Sequence, residues 1–387
     1  MAGGRHALAR STVRQRVARH RNLALIVMPI TPSDEPSACT IKPIRVAALT
    51  GGKNVPSARF RVRALKDELA LRDVTLNEYV PAISKYPPEP NWQRPFWLPA
   101  ALTARLPGIA ASRGYDITLL QRELISTLYT LEPLTRKPRV LDVDDAIFLH
   151  RDGKTAQRLA QSCELVLAGN AFLADWFSQY NPRVELLPTS IDTNRFKPTN
   201  TPTTQSLAQQ AQDTITIGWT GSQTNLRYLQ FIEPALQNVL TARPQTQLHV
   251  VCDKPPSLPA LPAAQLRFSA WSRANEVDAV QGFDMGIMPL TNGDWERGKC
   301  AFKILQYMAC GKPVVASPVG VNAELLADER IGFAAGDLAL WENALLALID
   351  DVDLRRRQGA AGRALAQARY DTSVVAQRLA GLLRTAL

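Results

Sequence analysis

From Ile44 onward, short apolar runs alternate with stretches whose apolar residues recur at helical spacing. The alternation occurs twice, which is the pattern of parallel sheets covered by helices. In the first half it predicts strands at Ile44–Leu49, Val74–Glu78, Asp116–Leu120, Arg139–Val143, Glu164–Ala168 and Val184–Leu187. Ser57 is placed to cap a helix carrying Phe60, Leu65 and Leu69. The segment from Tyr86 to Pro107, with Trp92, Phe96 and Trp97 among several prolines, reads as an irregular excursion from the sheet. A stretch dense in Thr, Gln, Ser and Ala, Pro198–Asp213, is expected to be a linker or surface loop. Strands then follow at Ile215–Trp219, Gln247–Cys252, Gln265–Phe268, Asp284–Met288 and Pro313–Ala316. Helices fit Leu226–Leu240, Ala274–Gln281 and Lys299–Cys310, the last stopped by Gly311 at the C′ position. Asp353–Leu387 should form one or two closing helices. The expected fold class is α/β, with two Rossmann-like doubly wound domains at 43–198 and 199–387 facing a central cleft.

Composition narrows the class. The chain has 387 residues, 46% of them apolar and 21% charged, which suits two or three globular domains and excludes disorder and a polytopic membrane protein. Net charge is +10, from +5 in residues 1–42, +5 in 43–198 and zero in 199–387. Neither a helix-turn-helix nor a zinc spacing is present, so nucleic acid is not an expected partner. A basic first half suits acidic glycans or phospholipid headgroups and is the expected face for peripheral contact with a membrane; an ordinary solvated basic surface is the alternative. The five cysteines are scattered without a C-x-x-C pair, so no disulfide framework or metal site is implied, and the expected location is the cytoplasm. Six arginines before Leu23–Ile30 imitate a secretory leader, but Pro29 and Pro32 interrupt it and no A-x-A site follows. Residues 1–42 are read as a disordered basic leader.

The most informative stretch is Gly298-Lys299-Cys300-Ala301-Phe302-Lys303-Ile304-Leu305-Gln306, running on into Tyr307-Met308-Ala309-Cys310-Gly311. A helix starting at Lys299 would present the backbone amides of Lys299, Cys300 and Ala301 to the cleft, where they can hold a phosphate. Lys303 and Gln306, three apart, share its face, a pairing that suits a diphosphate and a ribose hydroxyl. Phe302, Leu305, Met308 and Ala309 are assigned to the opposite, core face. An amphipathic helix with a solvated lysine is the competing reading.

This stretch resembles the glycosyltransferase family 4 enzymes, the group 1 glycosyltransferases of GT-B fold, whose second domain carries a Glu-x7-Glu pattern running into "EAMACGxPVVAS". Here the text is "QYMACGKPVVAS": Gln306 replaces the second Glu and Gly298 occupies the place of the first. Glu296 or Asp294 could fill that role from a shifted position. Asp192-Thr193-Asn194-Arg195-Phe196-Lys197-Pro198, Asp284–Leu290 and Val319–Glu324 resemble further family elements. The resemblance implies a retaining, metal-independent transfer from a nucleotide-diphosphate sugar, a co-substrate rather than a cofactor, to a glycan or lipid-linked acceptor.

The remaining candidates sit at strand ends. Gly221 and Ser222 close the first strand of the second half and resemble the loop that holds the donor diphosphate, with Arg227 the nearby basic residue. Trp271 stands where the family packs the nucleotide base, or else in the core. Gly51 and Gly52 resemble the glycine loop under the phosphates, and Arg59 and Arg63, four apart, would share an anion-binding face. Asp142-Val143-Asp144-Asp145 ends a strand in carboxylates. A D-x-D metal site, a phosphatase nucleophile and a pair of cleft-edge carboxylates (Asp144, Asp145) compete here, and the last is preferred; His150 follows as a possible base. The catalytic set is thus Lys303, Asp144, Asp145 and Glu296. A catalytically silent scaffold or glycan-binding protein, and an epimerase of the same fold, are the alternative functions.

Overall fold

The computed structural model describes residues 42–387 apart from Asn54, residues 200–213 and Asp328. The predicted leader and most of the predicted linker therefore lie outside the described residues. Residues 42–387 form one compact unit.

Two six-stranded sheets, parallel throughout, carry the chain. The first takes β1 (Ile44–Leu49), β2 (Val74–Tyr79), β3 (Ile117–Gln121), β4 (Arg139–Val143), β5 (Leu165–Ala168) and β6 (Val184–Leu186) in the order β2-β1-β3-β4-β5-β6. The second takes β7 (Ile215–Thr220), β8 (Thr246–Cys252), β9 (Leu266–Ala270), β10 (Met285–Met288), β11 (Val314–Ala316) and β12 (Gly332–Ala334) in the order β12-β11-β10-β7-β8-β9. Eleven of these strands stand within a residue or two of their predicted places; the exception, β12, is too short to show a period. Strand order reverses between β1 and β3 and between β7 and β10, and ligands of open α/β sheets bind outside the strand ends at such points.

The inner strands of each sheet are buried on both faces, which is why they read as largely apolar runs, while the edge strands β2, β6 and β9 are partly exposed. Along β1, Val46 and Ala48 enter one core while Ala47 and Leu49 enter the other. Helices that bear on the site are α1 (Pro56–Arg61), α2 (Glu276–Gln281), α3 (Asp294–Arg297) and α4 (Phe302–Ala309), followed by the closing helices α5 (Val352–Arg369) and α6 (Thr372–Thr385). Gly311 ends α4 as predicted: its φ is +69°, and the amides of Gly311 and Lys312 return to Met308 O and Tyr307 O at 2.9 Å.

Three expectations are corrected. Residues 86–107 are irregular only as far as Pro90, because helices span Arg94–Thr103 and Leu106–Ser112, with a proline in the first turn of each and Pro99 inside the former. The helix expected over Leu226–Leu240 is two, Arg227–Phe231 and Glu233–Ala242, broken ahead of Pro234. Helix α6 does not stay with the second half, where the division at 199 puts it. Its Val375, Ala376, Leu379 and Leu383 fill the core of the first sheet, so the chain crosses back and ties the halves together. Among the described residues no helix is long and apolar enough to cross a membrane.

Candidate active site in the cleft

The strand ends of both halves open onto one cavity of about 1240 Å³. Its second-half wall is built by α4 and the loop after β7. Helix α4 starts at Phe302 rather than Lys299. Ala301 sits before it at φ 52°, a left-handed conformation uncommon for a residue with a side chain. The amide of Lys299 is already used, donating to Glu296 O at 3.1 Å. The first-turn amides left without intrahelical acceptors are thus those of Phe302, Lys303 and Ile304, three residues further along than the sequence suggests. Lys299, Cys300 and Ala301 nevertheless line the cavity, as do Lys303 and Gln306.

Lys303 has no carboxylate within ion-pair distance among the described residues; its Nζ lies 5.8 Å from the centre of the Trp219 ring. Burial, reinforced by the like charge of Lys299, pushes its ammonium down to about 8. Gln306, one turn on, is buried at the cavity wall. Phe302, assigned to the core from its spacing, packs against that core and also lines the cavity, its ring centre 3.5 Å from that of Phe60 on α1 of the opposite half. Facing α4, Gly221 and Ser222 line the cavity with Thr220 and Thr224. A Cβ on Gly221 would fall 2.3 Å from the Trp219 indole, so glycine is required for the loop to pass over that ring. Trp271 is 40% exposed and lines the cavity, which removes the core reading for it.

The first-half wall carries Asp144 and Asp145 beyond the end of β4. Arg122 holds both, with Nη1 2.7 Å from Asp145 and Nε 3.4 Å from Asp144. Burial lifts the Asp145 carboxyl above its usual range in spite of Arg122 and, across the cleft, Lys299. Asp142 takes a different part. It is fully buried and receives Nε and Nη2 of Arg61 at 2.6–2.9 Å. One carboxylate of the D-x-D is thus taken up by a guanidinium instead of facing the cavity. Among the described residues no three His, Cys, Asp or Glu side chains converge on a point where a metal could sit. His150 reaches the cavity edge, stacked edge-on against Trp295 at 5.8 Å.

Five expected site residues are corrected. Glu296 does not line the cavity. It is the buried residue of α3, accepting from the Tyr228 hydroxyl and from Arg227 Nη2 at 3.2 Å, while Trp295 takes the cleft side. Nor could position 298 carry a glutamate: a Cβ there would lie 2.7 Å from Ala146 of the other half. Arg59 lines the cavity but is already paired with Glu276 of α2 at 2.5 Å, while Arg63 turns to Glu78. The two arginines therefore form no common anion site. Gly51 and Gly52 do not line the cavity; a Cβ on Gly51 would meet Lys85 Cδ at 2.7 Å, so this glycine makes room for a buried lysine. Trp92 and Trp97 also lie off the cavity, Trp92 71% exposed and Trp97 held by Ser84 O at 3.1 Å.

The sequence reading missed Arg122, Glu123 and Lys85. The signal available was the run Gln121-Arg122-Glu123, charged residues directly after an apolar strand, where an α/β sheet places its site.

Comparison with known proteins fits this geometry. Residues 214–351 match the family model of the glycosyl transferases group 1. A 114-residue stretch is 35% identical to the phosphatidyl-myo-inositol mannosyltransferase of Mycobacterium leprae, covering 29% of each chain. Sucrose-phosphate synthase of Thermosynechococcus elongatus superposes with a TM-score of 0.66 at 17% identity, over 88% of this chain and 98% of that one. Anabaena HepE, solved with UDP and glucose, gives 0.65 at 14% identity over 88% and 100%. The glycosyltransferase WaaG of lipopolysaccharide biosynthesis gives 0.60 at 12% over 88% and 99%. Residues 214–351 thus match the group 1 glycosyl transferases, and the chain as a whole has the GT-B fold.

Proposed function

We propose that the protein is a retaining glycosyltransferase that moves a sugar from a nucleotide-diphosphate donor to a glycan or lipid-linked acceptor. The observation that carries this is Lys303: an ammonium without a carboxylate partner among the described residues, partly desolvated, lining the cavity in the first turn of a helix. Such a group is poised for a dianion, since a diphosphate would supply both the charge partner and the acceptors that the amides of that turn lack. In transfer, negative charge grows on the departing diphosphate. Lys303, the Phe302–Ile304 amides and Ser222 would neutralise it without a divalent ion. Gln306 would hold the ribose, and Trp271, half-exposed beside the Arg59 guanidinium at 5.6 Å, would stack on the base. HepE, solved with UDP, and the mannosyltransferase relative support a nucleotide-sugar donor. The phosphatidyl-myo-inositol in that relative's name and the part of WaaG in lipopolysaccharide biosynthesis support an acceptor of cell-surface type.

The test is a panel of nucleotide-diphosphate sugars. One of them should stabilise the protein against heat through linkage and lose its sugar to an acceptor or to water. Stabilisation by a nucleotide with no turnover on any acceptor would indicate the silent scaffold. Conversion of the donor sugar without acceptor would indicate an epimerase.

A further inference from the structure

At the reversal point of the first sheet, the chain builds a charged device that the donor site does not use. Lys85, leaving the segment after β2, is wholly buried and passes through the space left by the missing side chain of Gly51. Its carbonyl accepts from the amide of Ser126 at 3.0 Å, which staples this segment to the loop after β3. Its Nζ donates to Glu123 Oε1 at 3.2 Å. Glu123 follows Arg122, whose φ of +60° is a strained conformation for a long side chain and of the kind that persists where surroundings enforce it. Burial would lift the Glu123 carboxyl, but Lys85 and Arg122 outweigh it and hold it below the usual range. Glu123 is thus an anchored, ionised carboxylate, and it lines the cavity. Its second oxygen, Oε2, is buried and has no hydrogen-bond partner among the described residues. A buried carboxylate oxygen without a donor is costly, and a water or a hydroxyl brought by a ligand would supply one.

We propose that Glu123 Oε2, fixed in place by Lys85 from beneath Gly51, is the atom that accepts a hydrogen bond from a hydroxyl of the acceptor sugar. The inference rests on the glycosyltransferase reading above and adds a residue to it. A neutral hydroxyl fits better than a charged group. An anion would be repelled by Glu123, and a second cation is not called for because Lys85 already neutralises it. The position fits as well. Glu123 belongs to the first-half wall and Lys303 to the second, so a hydroxyl held at Glu123 would share one cavity with a donor held at Lys303. Tyr86 and Ser126 line the cavity beside it, the tyrosine ring 45% exposed and able to pack against a sugar face.

The experiment uses the full chain and two probes. UDP binding is titrated, and methyl glycosides of common hexoses are soaked into crystals and followed in solution by saturation-transfer NMR, with and without UDP. The expected result is a pyranoside hydroxyl within hydrogen-bond distance of Glu123 Oε2, with glycoside affinity lowered about tenfold in Glu123→Gln and UDP affinity unchanged. Glu123→Asp keeps the charge beside Lys85 but withdraws the oxygen. It should lose glycoside binding likewise, so an effect of the lost ion pair alone is set apart. Glycosides that bind only elsewhere, bind Glu123→Gln as well as the wild type, or fail to bind at high concentration would overturn the inference. Failure of UDP to bind the wild type would count against the enzyme reading instead, and the glycoside measurements would still decide the role of Glu123.

Discussion

Arg59 on α1 and Glu276 on α2, 217 residues apart, meet at 2.5 Å across the cleft. Glu276 is almost wholly buried and takes a second guanidinium, that of Arg195, at 2.7 Å. The halves of the molecule are thus fastened by one carboxylate shared between two arginines, beside the contact of Phe60 with Phe302. Glu276→Gln leaves both guanidiniums without their charge partner. Because Arg59 and Arg195 retain some solvent, the expected cost is about 1–3 kcal/mol, less than for a fully buried pair. A melting temperature lowered by a few degrees, with a larger radius of gyration in solution scattering, is the expected outcome. An unchanged melt and scattering curve would show that the pair does not hold the halves together.

Lys303→Ala should remove the charge that receives the leaving diphosphate. Turnover should fall by about two to three orders of magnitude, the loss typical when one such stabilising group is deleted. The fold should survive, since the Lys303 side chain lines a cavity and ties nothing else down. Circular dichroism and turnover of the donor identified by the thermal panel are the measurements. Near wild-type transfer by a folded Lys303→Ala protein would remove this lysine from the scheme.

Asp142 and Asp144 lie two residues apart, yet their substitutions should fail in different ways. Asp142→Asn deprives the buried Arg61 of its counter-ion and should cost about 3–5 kcal/mol of stability. Asp144→Asn leaves Arg122 with Asp145 at 2.7 Å, so its melt should move little. Comparing melting temperature with transfer rate for the two variants separates a structural carboxylate from one facing substrate. Equal destabilisation by both would contradict that division.

How far the sequence could be read follows from what local pattern encodes. Strand runs such as Ile44–Leu49 and Arg139–Val143 are visible because burial on both faces demands unbroken apolar residues, and the Gly311 stop is visible because only glycine takes φ +69° at ease. Lys303 and Gln306 were placed on the cleft because three-residue spacing on a helix fixes a face. Side-chain direction at a turn is another matter. Whether Glu296 or Trp295 looks into the cleft depends on where a four-residue helix begins, and that start is set by packing against Tyr228 and Ala146, far away in sequence. The same holds for Gly51, whose motif resembles a phosphate loop but serves Lys85, and for Arg59, whose partner comes from the other half. Helix α6 was assigned to the wrong half because amphipathic spacing shows that a face is buried, not against what.

The last prediction concerns pH. Lys303 is held at about 8 by burial and by Lys299, well below an ordinary lysine. It is therefore charged below pH 8 and progressively neutral above it in the empty protein, whereas a bound diphosphate would favour the charged form and raise that value. Binding should thus take up a proton near pH 8. Affinity for a nucleoside diphosphate should be flat between about pH 7 and 8 and weaken above it, by up to about tenfold per unit until the pKa of the complex is reached. Calorimetry in two buffers of different ionisation enthalpy measures both quantities. Lys303→Arg keeps its charge throughout this range, so its affinity should not show the decline. Wild-type affinity that stays constant from pH 7 to about 9.5, with no proton uptake, would mean that Lys303 does not meet the diphosphate.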